Sequence, residues 1–180
     1  NPIGAMTGAN DGVASGIIGH AVNLERLKAD EARIVFGMLR KLEAKLIDDL
    51  NKADPTVVGG KTRTRRLQLL LANVQKTVKA NYALIAKSHT ETLTSVAGME
   101  KTATANAIGQ GVANNPKVGV AIMQTLPPTT TLANLVNNTL IMGAPQKSWW
   151  ARQAGDLTQR FQDQMREGIL AGEGVADLTR

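Results

Sequence analysis

Two long apolar stripes separated by one short break govern what this chain can fold into. From Ala21 to about Ala53, the residues Leu24, Leu27, Ile34, Met38, Leu42, Leu46 and Leu50 recur three, four or seven positions apart, with the charges mostly on the other side. That spacing is the mark of an amphipathic helix. From about Thr62 to Ala105 a second stripe runs through Leu67, Leu70, Leu71, Val74, Val78, Tyr82, Ile85, His89, Leu93, Val96 and Met99. Between the stripes, Asp54–Pro55 stops the first helix, because a residue before proline is pushed out of the helical region, and Val57 to Gly60 make a turn. At 1.5 Å per residue the two helices would run roughly 50 and 65 Å. Stripes of that length joined by a short turn predict a coiled-coil-like antiparallel helical hairpin over residues 21–110. The second helix outruns the first, so part of its stripe must pack on the C-terminal part or on another copy.

Composition points the same way. Only five of the 180 residues are aromatic (Phe36, Tyr82, Trp149, Trp150 and Phe161), too few for the bulky core of a sandwich or barrel. The fold class expected is all-α and elongated: the long hairpin, then shorter helices. The absence of cysteine excludes a disulfide framework, a thiolate zinc site and a cysteine nucleophile, and fits synthesis in a reducing cytoplasm. No apolar run approaches the length of a membrane span.

Four segments follow from the texture. Residues 1–20 place glycine at 4, 8, 12, 16 and 19 and read as a glycine-rich arm, flexible or ordered by a partner, with a tightly packed helix as the alternative. Residues 21–110 form the hairpin. Residues 111–145 hold short helices and a proline-rich connection. Within them Asn115–Pro116 starts a helix to about Thr125, with a strand at Val118–Met123 as the rival reading. Leu126, Pro127 and Pro128 then break the chain. Thr130 or Thr131 caps a helix carrying Leu132, Leu135, Val136, Thr139 and Leu140, closed by Gly143 and Pro145. Residues 146–180 begin a compact domain, with a helix from near Ser148 to near Gly172 bearing Trp150, Ala154, Leu157, Phe161, Met165 and Ile169 on one face. The chain opens on Asn1, and Val175–Arg180 reads as the opening of another helix, so a piece of a longer protein is expected.

The net charge of +6 is concentrated, with +5 falling in residues 54–110. Lys61, Arg63, Arg65 and Arg66 crowd the start of the second helix, where the macrodipole disfavours cations. Local helix stability therefore does not account for them. They read either as a solvated hairpin tip or as a contact for DNA phosphates or an acidic protein surface, for which guanidinium forks are suited. No aromatic residues interleave with them, which disfavours single-strand stacking.

Catalytic patterns are missing. Val58-Gly59-Gly60-Lys61-Thr62 resembles the end of a phosphate loop, but Pro55 stands where the first glycine is needed and a charged helix precedes it in place of a strand. His20 and His89 lack a nearby ligand or carboxylate at metal spacing in sequence, and no HExxH, nucleophile elbow or paired catalytic carboxylates occur. No enzyme, cofactor or metal is expected from these residues. Trp149 and Trp150 are neighbours on a helix, about 100° apart. They read as two separately buried rings or, with Phe161, as a protein interface.

The segment Gly143-Ala144-Pro145, followed by SWWARQAGDLTQRFQDQMREGILAGEGVADLTR from Ser148 to Arg180, resembles the start of the conserved region of bacteriophage Mu F-like minor head proteins, the phage head morphogenesis family. The shared features are a tryptophan near a helix start, an amphipathic charged helix, and a G-x-L-x-G-E turn, here Gly168, Ile169, Leu170, Ala171, Gly172 and Glu173. The match covers about 35 of the 180 residues. A variable helical region precedes the conserved domain in that family, in keeping with the long hairpin. The resemblance implies a structural minor head protein at the portal vertex of the virion, present in multiple copies. Its partners would be portal protein and, non-specifically, double-stranded DNA during head assembly and genome delivery. The rivals are a generic coiled-coil scaffold with no nucleic-acid role, and the adaptor region of an enzyme whose catalytic domain follows Arg180.

Overall fold

The structure, a computed structural model, describes residues 3–52, 60–111 and 126–173. It is essentially all-α. Helix α1 spans Ile3–Lys52, α2 spans Gly60–Gly111, α3 spans Thr129–Asn138 and α4 spans Gln146–Ala171. Two short strands, β1 at Leu140–Ile141 and β2 at Ala144–Pro145, pair antiparallel just before α4. Two compact units are distinguishable: Asn1–Arg33 with His89–Thr139, and Ile34–Ser88 with Leu140–Arg180.

The second unit carries the apolar core. Leu42 and Leu50 of α1, Leu70, Val74 and Val78 of α2, and Ala154 and Met165 of α4 form one buried cluster. Leu46, Leu67, Leu71, Tyr82, Leu157, Phe161 and Ile169 pack around it. These are the residues the periodicity selects. Ile34 is the exception: it was expected on the stripe but is exposed. A step of four residues advances about 40° around a helix, so a run of such steps from position 50 back to 34 rotates off the buried face. Antiparallel pairing of α1 and α2 within this unit is fixed by a polar pin. Asp49, buried, receives the Asn73 side-chain amide at 2.9 Å and the Lys45 ammonium.

The first unit is thinner. Leu24, Leu27, Leu93, Val96 and Met99 of its α1 and α2 portions are only half-buried, and Val136 of α3 is its one buried hydrophobic residue among those described. Polar contacts carry more of the pairing. The Glu31 carboxylate accepts the Thr92 hydroxyl at 2.6 Å and lies 3.3 Å from His89 Nδ1. His20 Nε2 sits 3.0 Å from Glu100 Oε2. Residues 31 and 20 of α1 thus meet 89–92 and 100 of α2, an antiparallel order.

Three expectations need correction. Residues 3–20 are helical and part of α1, not a separate glycine-rich arm. Glycine's propensity cost of about 1 kcal/mol per residue favours coil only where nothing else holds the helix. Helix α3 ends at Asn138, not at Gly143, and Pro128 rather than a threonine side chain occupies its N-cap. Residues 140–145 form a two-residue hairpin, with Met142 and Gly143 both at positive φ, +48° and +78°. A tight hairpin of that twist requires such a turn. The start of α2 at Gly60 and its end at Gly111 extend the expected helix at both ends. The helix or strand expected after Asn115, the turn at Val57–Gly59 and the helix expected at Val175–Arg180 lie outside the described residues.

Candidate nucleic-acid interface

The basic cluster occupies the first two turns of α2. Lys61, Arg65 and Arg66 are exposed, and Arg63 is half-buried. Lys61 and Arg65 lie four positions apart on one face. Arg63 is turned toward the core side, and its Nε is buried without a hydrogen-bond partner. Among the described residues, none of the four cations forms an ion pair closer than 4.0 Å. On α1 four cations are engaged locally, Lys28 with Glu25, Arg33 with Asp30, Lys45 with Asp49 and Lys52 with Asp48. Hydrogen bonding to Lys52 holds the Asp48 carboxyl below its usual range, and the bond to Asp49 holds the Lys45 ammonium above its own. Unengaged guanidinium groups at a helix N-terminus raise the local positive potential and leave their forks free for phosphate or carboxylate.

The two tryptophans are not separately buried rings. The rings of Trp149 and Trp150 pack edge to face, centroids 4.7 Å apart and planes at 81°. Trp150 in turn lies 6.1 Å from Tyr82. Adjacent helical residues start about 100° apart, but long side chains lean back together. Both tryptophans and Phe161 are half-buried, and Phe161 also packs on the core cluster, so it serves the fold of the second unit. Burial pushes the Tyr82 phenol above its ordinary range.

The histidines are cross-helix contacts, His89 to Glu31 and His20 to Glu100. Sequence spacing could not reveal these carboxylate partners, because they are 58 and 80 positions away and meet only through antiparallel pairing. Around His20 a groove of about 920 Å³ is lined by Gly16, Gly19, Asn23, Gly98, Met99 and Gln110 among others, all in the first unit. No group of three His, Cys, Asp or Glu that could hold a metal occurs among the described residues. No helix among the described residues is long and apolar enough to cross a membrane. Comparison with protein-family models, curated proteins and solved structures finds no match.

Proposed function

We propose that this chain is a structural minor head protein of a tailed bacteriophage, acting by binding at the portal vertex and contacting DNA without sequence preference during head assembly and genome delivery. The reading rests chiefly on the Ser148–Glu173 segment. It forms a single amphipathic helix with the tryptophans in its first turns, and its G-x-L-x-G-E sequence forms the helix stop. At that stop Gly172 is left-handed at φ +80°, its N–H reaches the Ile169 carbonyl at 3.2 Å, and the Glu173 N–H reaches the Gly168 carbonyl at 2.9 Å. This double bond pattern ends a helix and redirects the chain, a physical reason for glycine at that position of the motif. Lys61, Arg63, Arg65 and Arg66, which form no ion pair among the described residues, supply a phosphate-binding or acidic-surface contact, and the Trp149–Trp150 pair supplies a contact for protein.

A helical scaffold without a nucleic-acid role is the second reading, favoured by Ile17, Ile18 and Val22, exposed on α1 in the first unit. Sedimentation of the purified chain with the portal oligomer of the same phage, together with retention of a random-sequence duplex at rising salt, separates the two. Portal co-sedimentation and salt-sensitive retention support the minor head role. Self-association with neither leaves the scaffold and overturns the proposal.

A further inference from the structure

The charge on α2 does not stop at its first turns. Between Gly60 and Thr90 there is no Asp or Glu. Lys61, Arg65, Lys76 and Lys79 fall within about 60° of one another on a helix of 100° per residue. Leu70, Val74 and Val78, fully buried, occupy the opposite side. All four cations are exposed, all belong to the second unit, and none forms an ion pair among the described residues. The row from 61 to 79 covers about 27 Å at 1.5 Å per residue.

We infer that this face of α2 is a rail for the phosphate backbone of duplex DNA, extending the contact from the tip cluster down the helix over about eight base pairs. The inference rests on the DNA-binding part of the proposed function and names the surface that carries it. The cations share one helical face, but along its axis they stand about 6, 16.5 and 4.5 Å apart, an uneven series at 1.5 Å per residue. A protein partner with discrete carboxylates would have to match it residue by residue. A duplex has one charge per about 1.7 Å of axis and meets the row in any register. The one aromatic residue of this stretch, Tyr82, packs toward the core, so bases of a single strand find no stacking platform on the rail. Three of the four groups are lysines, flexible point charges that follow a backbone without reading sequence.

The test is the salt dependence of binding to a random-sequence 24-base-pair duplex by the wild-type chain, by Lys76→Gln/Lys79→Gln, and by Arg40→Gln/Lys41→Gln. The last removes the same charge from exposed positions of α1 in the same unit. All six substituted or retained side chains are solvent-facing, and circular dichroism checks that each variant keeps its helix content. Each lost phosphate contact flattens the log K against log salt slope by about 0.9, so the rail variant should lose about 1.8 of slope. Its affinity should then fall about 12-fold less than the wild type's between 50 and 200 mM salt. The α1 variant should keep the wild-type slope. If the wild type binds and the rail variant keeps its slope, or the two variants flatten it equally, the rail is overturned while DNA binding stands. If the wild type does not bind the duplex at all, the DNA-binding reading falls and the rail with it.

Discussion

Leu69 and Leu70 are neighbours of the same type on α2, yet Leu70 is 2% exposed and Leu69 63% exposed. Cutting each to alanine isolates the phase of the helix from every property of the residue itself. Leu70→Ala removes three carbons from the cluster, about 2.4 kcal/mol at 0.8 per carbon. The cavity left among Leu42, Val74 and Met165 adds to this, for a total of about 3–4 kcal/mol. At Leu69 only about a third of the same transfer term is at stake, roughly 0.8 kcal/mol, partly offset by alanine's better helix propensity. Urea unfolding followed by tryptophan fluorescence reads the right unit, because the two tryptophans of the chain, Trp149 and Trp150, both belong to it. With a slope of about 2 kcal/mol per molar urea, Leu70→Ala should lower the midpoint by about 1.5–2 M and Leu69→Ala by less than about 0.5 M. Equal shifts would mean that α2 presents a different face to α1 and α4, and the packing described for the second unit would be wrong.

Other perturbations address the remaining contacts. Glu31→Ala strips the acceptor from Thr92 and His89 and should cost about 1.5–3 kcal/mol, read as faster amide exchange over residues 20–33 and 89–104. Exchange unchanged there would show that the polar pairs do not hold the first unit. Gly172→Ala places a Cβ at φ +80° and should cost about 1–2 kcal/mol in thermal unfolding, whereas Ala171→Gly should cost less than that. Tyr82 is the one tyrosine of the chain, so absorbance at 295 nm titrates it alone. Burial raises its folded pKa above the ordinary 10.0, so the unfolded chain loses the proton first. Stability is then complete below pH 10 and declines as pH rises from there through the folded pKa. Tyr82→Phe should reduce the alkaline decline to the part due to Lys45, and a folded titration midpoint at or below 10 would refute the burial.

The long helices were legible because their apolar periods run for many turns, and the residues those periods select, from Leu42 and Leu50 to Val74, Val78 and Met165, are the core. What periodicity cannot carry is phase over a long run, and Ile34 fell off the buried face for that reason. For residues 3–20 the helix stood only as the alternative to a glycine-rich arm, because local glycine propensity was weighed without the continuation into α1. The hairpin at 140–145 was missed because Leu132, Leu135, Val136 and Leu140 fit a helical period by themselves. The available signal was Met142–Gly143, a two-residue turn with glycine second. The basic cluster was visible as charge density. That its cations form no ion pair among the described residues depended on side-chain geometry, as did the Glu31–His89 and Asp49–Asn73 contacts, which require the antiparallel register. That Phe161 packs on the core cluster was not legible until α4 was seen to share that core.

On the proposed reading, the cations at the start of α2, which form no ion pair among the described residues, meet DNA at the portal vertex. The most direct measurement is retention of a random-sequence duplex by the purified chain across 50 to 200 mM salt, with the exposed Lys61, Arg65 and Arg66 either intact or all changed to Gln. Three phosphate contacts predict that the intact chain binds with a log–log slope steeper by about 2.7 than the substituted chain. A wild-type chain that leaves the duplex free at 50 mM salt, or a substituted chain with an unchanged slope, would contradict it.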